Sequence, residues 1–153
     1  MAKLSAGILA YRIEEQGEVQ VLLVHPGGPF WQKKDDGAWS LPKGEYEEGE
    51  DALSAAKREF KEELGVELPA GKFIPLKPVK IKSGKVVAAW AIEAELKTVF
   101  IQSNQFEMEW PPRSGKKQFF PEVDKAEWFS IEQAKIKINN GQIAFLEQLV
   151  EIS

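Results

Sequence analysis

Three glutamates, Glu59, Glu62 and Glu63, stand within five positions of the stretch REFKEELG (58–65). Like charges at neighbouring helix positions repel, so a freely solvated helix gains nothing from this crowding. Grouped carboxylates do offer hard oxygen ligands of the kind Mg²⁺ takes, and such an ion keeps waters for a phosphate to displace. Arg58, directly before Glu59, brings a rigid fork of donors that can orient a carboxylate. Residues 44–65 carry eight acids against three bases, a charge of −5, while the remainder of the chain sums to +1. An acidic patch in an otherwise near-neutral chain points to a cation. A solvated acidic loop and helix, or a structural Arg–Glu network, accounts for the same composition.

A helix is expected from about Glu50 to Leu64, stopped by Gly65, a residue suited to the left-handed conformation that ends helices. At about 100° per residue, the apolar face gathers Ala52, Ala56, Phe60, Leu53 and Leu64. The three glutamates fall on this side, among the alanines, while Ser54, Lys57 and Lys61 lie opposite. A solvated charge run would occupy the polar face. Carboxylates turned toward a core need a partner, because burying them alone is costly.

The elements that must hold this helix read as follows. Residues 3–13 and 19–25 form a strand hairpin, 26–37 a loop, 39–42 a short strand, and 43–50 a loop. Two strands are expected at 72–82 and 85–96, joined at Ser83-Gly84. Residues 103–125 look irregular, with some short strand possible and FEMEW alternating. A strand at 126–130 leads through Ser130 into a helix to about Ile136, and Asn139-Asn140-Gly141 breaks the chain before a last helix at about 142–151. With 153 residues and no repeats or linker, the expectation is one α+β domain over residues 1–153, with a mixed sheet and helices on its faces. Zero cysteines exclude a disulfide framework, a thiol nucleophile and a Cys-based metal site. No apolar run suits a membrane span, and the N-terminus lacks a convincing cleavage site, so a cytoplasmic location is expected.

Residues 44–66, GEYEEGEDALSAAKREFKEELGV, resemble the Nudix box. Gly44, Glu50, Arg58, Glu59, Phe60, Glu62, Glu63, Gly65 and Val66 each fall at its fixed positions, Phe60 being an aromatic variant at a bulky apolar one. The resemblance implies the Nudix α/β/α sandwich with the box as loop–helix–loop. It implies Mg²⁺ or Mn²⁺ bound by Glu59, Glu62 and Glu63, with the Gly44 carbonyl assisting and Glu50 and Arg58 supporting from behind. It implies hydrolysis of the pyrophosphate linkage in a nucleoside diphosphate joined to another group. Metal ions offset phosphate charge and activate water in such chemistry. A general base is also required: Glu122, five residues before Glu127, resembles the distal loop glutamate of several Nudix enzymes and stands as base or extra ligand, with Glu59 or Glu63 as alternatives. Glu107 and Glu109 are weaker candidates.

Phosphates call for cations and bases for flat surfaces. Lys43, next to Gly44, is the phosphate-contact candidate. Trp31, Trp39, Trp90, Trp110 and Phe119 are candidates for stacking, and Trp110 and Phe119 flank an RSGKK loop that suits a substrate lid. His25, the sole histidine, reads as structural. The opening strand and LPKG resemble the asymmetrical diadenosine tetraphosphate hydrolases, and LLVHPGGPFW with WSLPKGEYEEGE resembles bacterial predicted NTP pyrophosphohydrolases. The positions at which dinucleoside polyphosphate hydrolases carry a tyrosine are here Lys82, Ser83 and Gly84, and that at which ADP-ribose hydrolases carry a proline is Ile81. Neither marker is present, and the resemblance to the family as a whole implies a nucleotide or dinucleoside polyphosphate as substrate, with an RNA 5′ end or ADP-ribose as alternatives. A catalytically silent nucleotide-binding module is the alternative of another class.

Overall fold

The computed structural model describes residues 4–81, 84–96 and 105–152. Strand β1 (Leu4–Ile13) is its axis, because residues 5–10 are sealed on both faces. It turns through residues 14–18 into antiparallel β2 (Val19–Pro26), the hairpin expected from the sequence, with Gly17 supplying the positive φ. The other edge of β1 pairs in parallel with β6 (Val86–Glu93), in register from Leu4↔Val86 to Tyr11↔Glu93. A strand with neighbours on both sides and layers above and below is buried throughout.

The first half of β1 also pairs antiparallel with β3 (Lys43–Tyr46), Ala6 standing opposite Gly44. This segment reads as loop in sequence because its four residues, KGEY, carry no apolar alternation; its strand geometry comes from the open edge of β1. Strand β2 pairs onward with β9 (Val123–Ser130). Short strands β4 (Ile74–Pro75) and β5 (Val79–Lys80) lie along β6, where one longer strand had been expected. Residues 105–125 are more regular than their sequence suggests. Strands β7 (Gln105–Glu109) and β8 (Lys117–Pro121) make a separate hairpin, and β9 begins at Val123 rather than Ala126. The marker residues Lys82 and Ser83 lie outside the described residues.

Period-two alternation along β1 divides the core. Ala6, Ile8 and Ala10 face α1 (Ala52–Leu64), where Ala56, Phe60 and Leu64 are fully buried. Leu9, with Val87 and Ala89 of β6, faces Phe145, Leu146 and Leu149 of α3 (Ile143–Ile152). Helix α2 (Ile131–Lys137) adds Ala134 to that second face. The result is the expected α/β/α sandwich. No helix among the described residues is long and apolar enough to cross a membrane.

Candidate active site

Helix α1 is fixed at both ends. The Asp51 carboxylate accepts from the Ser54 N–H at 3.0 Å, so the helix starts at Ala52, two residues later than expected. Gly65, at φ 66°, donates its N–H to the Lys61 carbonyl at 2.8 Å. Between these caps the Glu59 and Glu63 side chains reach the edge of the sheet where β3 wedges against β1.

Gly44 shows how tight this meeting is. A Cβ there would overlap the Glu59 carboxylate, which would have to move from its present position. Glu63 keeps 7% of its surface, and its Oε2 has no hydrogen-bond partner among the described residues. Burial, then the neighbouring charges of Glu59 and Glu122, push its carboxyl up to about 8. Burial and the Glu62 charge raise Glu59 as well. Lys43 lies beside Glu63, and its ammonium is pushed down, first by burial and then by nearby Lys85. Arg58 bonds the Glu50 carboxylate and stands 3.8 Å from Glu59, where it leans on the box carboxylate from outside.

Glu62 departs from the wheel expectation. It is exposed, on the solvent side of the Glu59–Glu63 pair. Positions 59, 62 and 63 share one face of α1, but among the described residues no three acidic or imidazole side chains close into a cage. Two carboxylates, one with an orphaned oxygen and one pressed on Gly44, nonetheless fit a hard divalent cation: the donors are oxygens, and an unpaired buried carboxylate demands a compensating charge.

Glu122 arrives from the opposite side of the sheet end. The register of β2 and β9 slips between His25 and Pro26, skipping Asp124, and this bulge turns the strand. Gly27 N–H then donates to the Glu122 carbonyl at 2.9 Å, holding the acid at the rim of a groove of about 330 Å³. Glu63, Lys43, Trp31 and Glu122 all line that groove.

The stacking candidates separate cleanly. Trp31 lines the groove, with the Lys34 ammonium 5.1 Å from its ring centre. Trp39 is core, its indole N–H donating to Asp35. Trp90 packs against the α1-side core, and Trp110 stands edge-on to exposed Phe30 at 5.5 Å. Phe119 pairs with Glu107, one position out of phase with Phe106, which touches Gly28. It therefore faces outward, 63% exposed, and does not line the groove. Glu107 and Glu109 share that outward phase.

Four further lining or neighbouring residues escaped the sequence reading: Lys85 beside Lys43, and Ser40, Asn139 and Gln142 in the groove wall. Asn139 and Gln142 signalled only a helix break. Trp39 fixes them: it pairs in parallel with Ile138, and the Asn139 N–H donates to its carbonyl at 2.7 Å.

Comparisons with known proteins agree with this fold. Residues 2–149 match the family model described as NUDIX domain. An Ap4A hydrolase of C. elegans, solved as a binary complex, superposes with a TM-score of 0.67 at 21% identity, over 97% of this chain and 96% of that one. The NUDIX domain of Shewanella oneidensis NrtR, solved with ADP ribose, gives 0.70 at 19% identity, over 99% and 88%. A MutT protein from Methanosarcina mazei gives 0.62 at 20%, over 99% and 94%. Among curated proteins, an RxLR effector protein of Phytophthora infestans is 44% identical over 63 residues, 41% of this chain; the match spans 21% of that relative's length. With the box motif, the sandwich and the family match on one chain, this protein belongs to the Nudix family of pyrophosphohydrolases.

Proposed function

We propose that the groove binds a nucleotide-type substrate and hydrolyses its pyrophosphate linkage, with Mg²⁺ or Mn²⁺ held by Glu59 and Glu63. The observation that carries this reading is the Glu63 carboxylate, buried beside Glu59 with one oxygen lacking a hydrogen-bond partner among the described residues. Glu62 and the Gly44 carbonyl complete the ligand set, Glu62 from the solvent side. Nudix hydrolases generally need divalent ions; such an ion supplies charge compensation for the phosphates and lowers the pKa of bound water. The chain's own residues do the rest. Lys43 and Lys85 place cationic charge where a phosphate enters. Arg58, anchored on Glu50, keeps Glu59 from swinging into solvent. Glu122, at the groove rim, takes the proton from the attacking water.

The substrate panel that tests this contains NTPs, dinucleoside polyphosphates, ADP-ribose and triphosphorylated RNA, each with Mg²⁺ or Mn²⁺. Phosphate, nucleotide or pyrophosphate release is expected from at least one of them, and its loss in Glu59→Gln and Glu63→Gln. Release by none, or full activity in both variants, sinks the reading. Similarity to the Ap4A hydrolase and to the ADP-ribose-bound domain supports a nucleotide as the ligand class, and the panel decides which.

A further inference from the structure

Glu122 belongs to no strand or helix. It is the single residue between β8, which ends at Pro121, and β9, which begins at Val123. Its side chain is exposed at the groove rim, yet its charge reaches both Glu59 and Glu63 and helps to raise their carboxyls. A carboxylate on a lone linking residue is placed by its backbone. Whatever holds residues 121–123 therefore decides where it stands.

That backbone is held by PGGPF (26–30), the loop after β2. Pro26 pairs with Val123 just beyond the register slip, and the Gly27 N–H donates to the Glu122 carbonyl at 2.9 Å. Gly27 is buried and lies directly against Pro121. A Cβ at position 27 would overlap the Pro121 carbonyl oxygen. That oxygen is main chain, not the far end of a flexible side chain, so the Pro121–Glu122 peptide itself would have to move. Gly27 is not among the glycines with positive φ, so it is the close approach of two backbones that calls for glycine here. The loop continues along the hairpin on the other side of Glu122. Gly28 turns at φ 99°, where a Cβ would come within 2.9 Å of the Phe106 ring of β7, and Phe30 stands edge-on to Trp110.

We propose that Gly27 is a positioning residue for the reaction: by letting the loop after β2 lie directly on the Pro121–Glu122 peptide, it sets the reach of the Glu122 carboxylate into the groove. The inference rests on Glu122 acting as the base. Gly27→Ala, Glu122→Gln and the double variant are compared on the full chain with Mg²⁺, using the panel member that the wild type hydrolyses fastest. Glu122→Gln should lower kcat by about a hundredfold, within the range for a general base. Gly27→Ala should lower kcat by about tenfold to a hundredfold and leave KM within about threefold, the scale of a displacement of about 1 Å near the reacting atoms. The double variant should be within about twofold of Glu122→Gln, since a base already lost cannot be misplaced. Phe106→Ala probes the same packing from the hairpin side without any overlap, and serves where Gly27→Ala does not fold. It should lower kcat severalfold, and only while Glu122 is present. Losses that multiply in the double variants, a rise in KM that accounts for the loss, or full activity in both Gly27→Ala and Phe106→Ala overturn the positioning role and leave the base in place. Full activity in Glu122→Gln removes the base instead, and the positioning role with it.

Discussion

Glu63 and His25 are both nearly sealed from solvent, at 7% and 2% exposure, and both lie at the same end of the sheet. Their surroundings differ in kind. His25 is satisfied at both ring nitrogens: Nδ1 faces Asp124 Oδ1 at 2.8 Å and Nε2 faces the Lys34 carbonyl at 2.6 Å. Its ring also packs edge-on against Trp39 at 5.2 Å. Glu63 has the like charges of Glu59 and Glu122 near it as well as Lys43, and an oxygen with no hydrogen-bond partner among the described residues. A buried polar group whose bonds are all made inside the chain holds the fold together. One whose bonds are left open is unstable until something outside the chain completes it. His25 belongs to the first kind, as its position before Pro26 suggested, and ties the loop bearing Trp31 to the start of β9, just after Glu122.

The largest separation between the two regions is expected in turnover. Glu63→Gln and Glu59→Gln should each lower kcat by about a hundredfold to a thousandfold, the range for losing one preorganised electrostatic partner. Gly44→Ala should join them, because its Cβ would displace the Glu59 carboxylate. His25→Gln should stay within a few-fold of wild type in the same phosphate-release assay. Equal losses at His25 and Glu63 would erase the distinction.

Stability of the metal-free protein should separate them next. The Glu63 carboxyl goes from 4.5 when unfolded to about 8 when folded. Between these values the folded state holds the proton more tightly than the unfolded one, so this group's contribution favours folding below about pH 4.5 and declines as pH rises toward 8. The span is about 5 kcal/mol at most. In chelator, Glu63→Gln should therefore gain stability relative to wild type as pH rises through that window, and Mg²⁺ should restore the wild type. Urea melts at several pH values read this directly; a flat difference between the two proteins would show that Glu63 folds without penalty.

For His25 the sign is opposite. His25→Ala removes a packed ring and leaves Asp124 and the Lys34 carbonyl without their partner, so it should cost about 2–3 kcal/mol in urea unfolding. The smallest effect belongs to the outer face of α1. Lys61 pairs with Glu67 at 2.8 Å in full solvent, and Lys61→Ala should leave both turnover and the melting midpoint unchanged. A clear loss there would mean that the polar face of α1 takes part in function.

The helix itself was legible residue by residue. The alanine and Phe60 stripe and Gly65 are local signals, and each acts within one helical turn of where it stands; the Asp51 cap was not read from the sequence. Strand β3 was not legible, because KGEY is a strand only against the open edge of β1. The hairpin of β7 and β8 was half legible: the alternation of FEMEW was visible, but not the partner strand that turned Phe119 outward. Lys85, Ser40, Asn139 and Gln142 carried no catalytic pattern at all. Their place in or beside the groove depends on contacts such as Trp39 to Ile138, made between residues far apart in the chain.

By itself the sequence determined the family and the class of chemistry, because the box is contiguous and its spacing is a property of one helix and its caps. It also determined that Glu59 and Glu63 turn inward, since helical phase follows from residue order alone. The tertiary structure decided which carboxylate loses its last partner and which of five aromatics meets the groove. Those outcomes depend on burial and on hydrogen bonds between distant segments, and neither exists until the sheet brings the segments together.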